Sequence, residues 1–313
     1  MDQYRGNRVA VILPCYNEAP AIASVVGAFR AALPQATIHV FDNSSTDDTA
    51  TVARQAGASI VPVKHRGKGN VVRRMFADVE ADIYLMADGD GTYDPDAARQ
   101  LIDALIDGGL DMVVGCRTGD AGATYRPGHK FGNRALTRTV ARIFGDGFTD
   151  MLSGYRAMSR RYVKSFPALS KGFEIETELT IHVLELRAPH GEVNTAYGER
   201  AAGTASKLST WGDGSRIVGT ILRLHMLERP MEFYLTLALA GLLVSLWLGV
   251  PVIGEYVQTG LVPRFPTAIA AVGFMLGALL CAAVAIILDS VVTGRREAKR
   301  LVYLSIPAVR DIA

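Results

Sequence analysis

The chain has 313 residues, 49% of them hydrophobic, with 33 Lys and Arg against 31 Asp and Glu. That length allows one sizeable domain and an appendage, and a formal net charge of +2 carries no nucleic-acid signature. Cys15, Cys116 and Cys281 show no CxxC spacing, which argues against a disulfide framework or a zinc site and fits a reducing compartment.

The first eight residues are polar and charged, and the apolar run behind them is broken by Pro14, too early for a signal peptide. From there strands and helices alternate. The predicted strands are Val9 to Leu13, Thr37 to Phe41, Ser59 to Val63, Ile83 to Ala87 and Met112 to Val114. The predicted helices are Ala21 to Leu33, Asp47 to Ala56, Asn70 to Val79 and Asp96 to Ile106. This alternation predicts an α/β domain of parallel βαβ units with helices on both faces. Ligands in such sheets gather beyond the carboxyl ends of the strands.

The character changes after Pro230. Phe233 to Ile253 and Ala268 to Leu288 carry no charged residue, and each is long enough to cross a bilayer. A buried helical hairpin of a large soluble core is the competing reading. The loop from Gly254 to Thr267 carries one basic residue, Arg264, whereas Arg216, Arg223 and Arg229 precede the spans and Arg295, Arg296, Lys299 and Arg300 follow them. The positive-inside rule then places the catalytic domain and both termini in the cytoplasm, on an integral membrane protein. Ile217 to Leu227 places apolar residues near one helical face beside Arg216 and Arg223, as an interfacial amphipathic helix would. A helix packed on the soluble domain has the same pattern. The predicted organisation is a catalytic domain over 1–212, an amphipathic helix over 213–230, a two-helix hairpin over 231–290 and a basic tail over 291–313.

The polar motifs fall at the strand ends. Asp88-Gly89-Asp90 directly follows the fourth strand. Two carboxylates one residue apart can share a divalent cation with a diphosphate, and hard oxygen ligands suit Mg2+ or Mn2+. Asp and Gly also form β-turns, so the same residues read as a simple turn. An EF-hand is excluded because its twelfth position is Arg99. The first strand ends in Pro14-Cys15-Tyr16-Asn17-Glu18 and the second in Asp42-Asn43-Ser44-Ser45-Thr46-Asp47, so both turns meet over one sheet edge. Tyrosine can stack on a base and a carboxylate can accept from its imide; Thr46 or Asp47 also suits a helix cap. Lys64-His65-Arg66-Gly67-Lys68-Gly69 supplies cations and glycines suited to a diphosphate. It is not a Walker loop, and no GxGxxG fingerprint occurs.

The ordered set VILPCYNE, VFDNSSTDDT, GKGNVVRRMF and LMADGDGTYDP resembles the family 2 glycosyltransferases of GT-A fold. GHKFGNR, DMLSGYRAMSRR, GFEIETELTIH and GTASKL, followed by two spans, narrow the resemblance to polyprenyl-phosphate glycosyltransferases. That group includes dolichol-phosphate mannose synthase and bacterial prenyl-phosphate glucosyltransferases. The resemblance implies that Pro14, Tyr16, Glu18 and Asp42 hold the nucleoside and that Lys68 lies near the nucleotide phosphates. It further implies that Asp88 and Asp90 frame the metal, with Asp90 the closer ligand. Asn43 departs from the pattern, since many members carry a second Asp there.

The same resemblance implies that two or more of Arg117, Lys130, Arg134 and Arg156 clamp a lipid phosphate, a role for which guanidinium groups are suited. Each alone reads first as a solvated surface charge. Gly119 to Gly128 suits a loop over the site, and Lys207 in Ser206-Lys207-Leu208 could face lipid headgroups. The implied reaction is inverting transfer of a sugar, first glucose from UDP-glucose, to polyprenyl phosphate in the making of a cell-envelope glycan. Mannose, galacturonic acid or an amino sugar stay open as donors. A phosphate monoester has a second pKa of about 6, so no base is assigned to Asp150, Glu174 or Glu176. The implied partners are the nucleotide-sugar, the prenyl phosphate and the membrane; a homo-oligomer stays open. Only two spans and no QxxRW argue against a processive polysaccharide synthase. A catalytically inactive membrane adaptor of the same fold is the non-enzyme rival, against which the intact Asp88 and Asp90 speak.

Overall fold

The computed structural model describes residues 3–118, 147–172, 174–198 and 229–309, together with Gly219 and Met226. The chain divides into two compact units, Met1–Val218 with Lys299–Ala313, and Gly219–Ala298.

The first unit is built on a seven-stranded sheet. In chain order its described elements are β1 (Val9–Cys15), α1 (Ala19–Ala32), β2 (Thr37–Asp42), α2 (Thr49–Gln55), β3 (Ser59–Pro62), α3 (Lys68–Asp78), β4 (Ile83–Met86), α4 (Ala97–Asp107), β5 (Met112–Thr118), β6 (Arg156–Ser159), α5 (Arg160–Ser165), α6 (Ile175–Leu186) and β7 (His190–Ala196). The strand order is β3-β2-β1-β4-β6-β5-β7. Every pairing is parallel except those of β6, which is antiparallel to both β4 and β5.

Alternate side chains of the central strands feed two separate cores. Val9, Val11 and Leu13 of β1 with Ile83 and Leu85 of β4 meet Ile22, Val26 and Phe29 of α1 and Leu101 and Leu105 of α4. Ala10, Ile12, Tyr84 and Met86 face Val72 and Met75 of α3, Tyr162 of α5 and Leu179 of α6. Burial on both faces explains why the strands read as continuous apolar runs. The sequence predicts β1 to end at Leu13, but it runs on to Cys15 through Pro14. Its pairing with β4 ends at Ile12, so Leu13 to Cys15 lie in a one-sided ladder, where proline is tolerated.

Four elements at the far end of the sheet have no counterpart in the predicted set: β6, α5, α6 and β7. Helix α6 buries Glu176, Thr177, Glu178, Thr180 and His182 along with its apolar residues, so no amphipathic stripe marks it. The imidazole of His182 lies against Tyr162 and Phe166 and shares a hydrogen bond with Ser165 Oγ at 3.2 Å. Burial, with Lys299 nearby, pushes its pKa down to about 3.

The predicted basic tail over 291–313 is not a separate tail. The last long helix continues to Leu304, and residues from Lys299 onward belong to the first unit. They are held there by specific contacts. Tyr303 donates to Asp111 Oδ2 at 2.6 Å and packs under the Arg161 guanidinium, 4.6 Å from its ring, while Lys299 donates to Glu185 at 3.1 Å. Asp111 is fully buried and also takes both Arg161 donors, at 2.6 and 2.7 Å, and the Ser159 hydroxyl.

The second unit consists of α7 (Pro230–Thr259) and most of α8 (Phe265–Leu304), both long and apolar enough to cross a membrane. Proline at the first turn starts α7, and Gly260 in the left-handed region ends it. The two helices approach through small residues: Gly241 faces Ala278, and Ser245 Oγ donates to the Ala271 carbonyl at 2.8 Å. The stretch read as an amphipathic helix, Ile217 to Leu227, lies outside the described residues save for Gly219 and Met226.

Candidate active site

The carboxyl ends of β1, β2, β4 and β5 carry the predicted motifs to one edge of the sheet. The turn after β1 and the turn after β2 are laced together. Asn17 N donates to Ser45 Oγ at 2.9 Å, Thr46 N donates to Asn17 Oδ1 at 2.8 Å, and Glu18 N donates to Thr49 Oγ1 at 2.8 Å. Asp47 bonds Thr49 and also accepts from Ala19 N at 3.1 Å, so it secures the starts of both α1 and α2. Asp42 accepts from Ser45 N at 3.3 Å. Tyr16 lies under Arg66, whose Cζ stands 5.1 Å from the ring centroid. Pro14, Tyr16, Glu18 and Asp42 are therefore gathered at one place.

Asn43 has a different task from the one its position suggests. Its buried amide donates to the carbonyls of His65, at 2.7 Å, and Val63, at 3.3 Å, while its Oδ1 accepts from Gly67 N at 2.7 Å. An aspartate could accept from Gly67 but could donate to neither carbonyl. Asn43 thus pins the Lys64–Gly67 loop to β2 and fixes where α3 begins.

Lys68, the first residue of α3, reaches under the loop that follows β4. Its ammonium lies 2.5 Å from Asp88 Oδ1 and 2.7 Å from Glu176 Oε1. The Lys68 and Glu176 side chains are 9% and 6% exposed, whereas Asp88 is 30% exposed and forms the open edge of the cluster. Burial disfavours the charged amine, but Asp88 and Glu176 outweigh it and raise the Lys68 pKa above its ordinary value. Asp90 is buried, and its Oδ1 accepts from both the amide and the hydroxyl of Thr92.

Two glycines make room here. A Cβ on Gly89 would collide with the buried Cys15 Sγ, so the carboxylate loop can sit directly on the end of β1 only without a side chain. A Cβ on Gly154 would stand 3.1 Å from both Asp88 Oδ2 and Lys68 Nζ. Glycine at 154 therefore lets the backbone pack closely against the Lys68–Asp88 pair, where a side chain would crowd both groups. Among the described residues no cluster of three or more His, Cys, Asp or Glu offers a complete metal site. A partly exposed Asp88 beside a buried Asp90 suits a cation that keeps water and substrate phosphates as its other ligands, as Mg2+ and Mn2+ do.

On the far side, Asp150 grips Arg117 through Nε at 2.7 Å and a terminal nitrogen at 2.6 Å. Glu192 holds that carboxylate in place by accepting from the amides of Thr149, at 2.6 Å, and Asp150, at 3.3 Å. Arg117 stacks over Tyr197, which packs edge-on against Tyr93, whose hydroxyl accepts from Gly154 N at 2.8 Å. Arg117 is thereby joined to the Asp88 cluster through a continuous aromatic wall.

Arg156 does not belong to this surface. It is fully buried and donates to the carbonyls of Ser153, Met151 and Glu176 at 2.9, 2.6 and 3.1 Å and to Thr180 Oγ1 at 3.1 Å. A guanidinium with no exposed area has nothing to offer a lipid phosphate; it ties β6 to α6. Lys130 and Arg134, the loop Gly119 to Gly128 and the Ser206–Leu208 motif lie outside the described residues. Two groups left without a role on sequence grounds are placed by the structure: Glu176 on Lys68 and Asp150 on Arg117.

Residues 10–166 match the family model for glycosyl transferase family 2. Over 278 residues the chain is 33% identical to glycosyltransferase AglJ of Haloferax volcanii, covering 87% of this chain and 90% of that one. It is 27% identical over 229 residues to a dolichyl-phosphate hexose transferase of the same organism, covering 73% and 99%. Glucosyl-3-phosphoglycerate synthase of Mycobacterium tuberculosis, solved with Mn2+ and UDP-glucose, superimposes with a TM-score of 0.58 at 25% identity, over 70% of this chain and 79% of that one. The mixed sheet with its covering helices is the GT-A fold.

Proposed function

The chain belongs to glycosyl transferase family 2 and is a glycosyltransferase, and from that premise we propose that it transfers a hexose, glucose from UDP-glucose, directly onto the phosphate of a polyprenyl phosphate. The observation that carries the proposal is the Lys68–Asp88–Glu176 cluster beside Asp90 at the sheet's carboxyl edge, in a chain that also has two membrane-length helices. Pro14, Tyr16, Glu18 and Asp42 hold the nucleoside, and Lys68 meets the diphosphate. Asp88 and Asp90 hold Mg2+ or Mn2+, which when bound neutralises charge on the departing nucleoside diphosphate. Arg117, oriented by Asp150, binds the acceptor phosphate, a role proposed on sequence grounds for Lys130 and Arg134 as well.

The acceptor phosphate oxygen displaces the nucleoside diphosphate at the anomeric carbon in one step and inverts it. A phosphate monoester is already largely ionised at neutral pH, so the protein's task is to position and to balance charge. The choice of glucose is supported by the likeness to a synthase solved with UDP-glucose. The acceptor is supported by the relative named as a dolichyl-phosphate hexose transferase. The basic flanks and the single Arg264 between the spans support a cytoplasmic catalytic unit.

The test is a panel of radiolabelled nucleotide-sugars with undecaprenyl phosphate and the purified protein. UDP-glucose with Mg2+ or Mn2+ should give a labelled lipid, and chelation should abolish it. Label moving to lipid from another donor alone would overturn glucose; no lipid product from any donor would overturn the acceptor. A reporter inserted near Gln258 should read external and one fused after Ala313 cytoplasmic; the reverse pattern would overturn the orientation.

A further inference from the structure

We propose that Glu176 is a positioning residue that keeps Lys68 in the site when a divalent cation takes Asp88. The inference rests on the proposed role of Asp88 as a cation ligand. Lys68 is shared almost equally between two carboxylates, at 2.5 Å from Asp88 and 2.7 Å from Glu176. The two partners differ in setting. Asp88 sits at the open edge, its side chain 30% exposed, whereas Glu176 is enclosed in the floor on α6 at 6%.

A divalent cation arriving at Asp88 meets an ammonium already bonded to the same carboxylate. Like charges so close repel strongly in a partly buried site. Without a second anion, Lys68 and the cation would compete for Asp88. With Glu176, the ammonium has a carboxylate to retain while Asp88 turns toward the cation. Lysine has three N–H donors, and release from Asp88 frees one for a diphosphate oxygen. The backbone of Glu176 is itself fixed, because its carbonyl accepts from Arg156 at 3.1 Å. The fully buried Arg156 therefore sets the height at which Glu176 meets Lys68.

The experiment is a double-substitution cycle read by cation binding rather than by transfer. Full-length protein in detergent with saturating UDP is titrated with Mn2+, and free metal is followed by its electron paramagnetic resonance signal. Glu176→Gln should weaken Mn2+ binding about tenfold or more, the size expected for one charge-assisted contact. Lys68→Met alone should not weaken it. In the Lys68→Met background Glu176→Gln should change the affinity less than about threefold, since no ammonium is left to compete with the cation for Asp88. Glu176→Asp, which keeps the charge but shortens the reach, should behave like Glu176→Gln; it also serves if the glutamine variant does not fold, as judged by its circular dichroism melt. Equal losses in both backgrounds, or a wild-type affinity for Glu176→Asp, would show that Glu176 serves the cation through its charge alone and would overturn the proposal. No uptake of Mn2+ by the unsubstituted protein would overturn it together with the metal role of Asp88, while the lipid-transfer assay would still stand on its own.

Discussion

Replacing Arg156 with methionine separates a structural cation from a substrate-binding one. The guanidinium makes four hydrogen bonds to oxygen, three of them to backbone carbonyls, and a weaker one to the Met112 sulfur at 3.6 Å. Bonds from a charged donor contribute roughly 1.5–3 kcal/mol each, so the gross loss is about 6–12 kcal/mol. Against this stands the desolvation of a buried cation, several kcal/mol, which also lowers its pKa. The single proton of the Thr180 hydroxyl can serve one of two orphaned carbonyls, Met151 at 3.4 Å or Glu176 at 3.1 Å. The Ser153 carbonyl loses the Arg156 bond with no such substitute. A net destabilisation of about 3 kcal/mol follows, which in a domain of this size lowers Tm by roughly 6–12 °C. Thermal unfolding of the detergent-solubilised protein measures it. At a temperature where the variant is folded, the Michaelis constants for lipid phosphate and for donor should keep the wild-type ratio. An unchanged Tm with a selective rise in the constant for lipid phosphate would refute the burial argument and return Arg156 to the acceptor site.

Asn43→Asp should raise the Michaelis constant for the nucleotide-sugar about tenfold, because a carboxylate set against the His65 and Val63 carbonyls releases the loop before Lys68; donor kinetics beside Asn43→Ala, expected to be milder, check it. His182 supplies a pH dependence. Its folded pKa of about 3 lies below the ordinary value of 6.5, so below pH 6.5 the unfolded chain binds the extra proton and stability falls with pH, by about 2 kcal/mol at pH 5. Above pH 7 the effect is absent. His182→Gln should flatten that part of the Tm–pH curve, and a slope equal to wild type would contradict it. Arg117→Ala should weaken use of prenyl phosphate more than use of the nucleotide-sugar, by one to two decades for one phosphate contact; paired Michaelis constants decide it.

The first half of the catalytic unit is legible in the sequence because its physics is simple. Strands β1, β2, β4 and β5 are apolar runs, the intervening helices carry spaced apolar residues, and the polar turns fall where strands end. Legibility fails after Thr118. Strand β6 is four residues long and begins with a buried arginine, so it shows no alternation. Helix α6 hides two glutamates and a histidine whose polar partners lie off the helix: the Leu169 and Ser170 amides for Glu178, Lys68 for Glu176 and Ser165 for His182 Nε2. The same cause limits the site. Asp88, Asp90 and Lys68 announce themselves by position after a strand. That Glu176 completes their charge balance, and that Arg156 turns inward, depends on contacts between elements that sequence spacing does not encode. Asn43 is an intermediate case: its departure from the aspartate of many relatives is visible, but its two carbonyl partners emerge only in three dimensions.

The bond between Tyr303 and Asp111 joins positions 192 residues apart, and both units lie on the path between them. The catalytic unit is therefore discontinuous along the chain: it is left at Val218 and rejoined at Lys299. During synthesis the sheet can assemble early, but Asp111 and Arg161 wait for their last partner until both apolar helices have left the ribosome. Completion of the enzyme is thus tied to delivery of its hydrophobic segments. A chain halted or cut before residue 299 would keep every motif of the active site and yet lack the phenol and lysine that close the opposite end of its sheet.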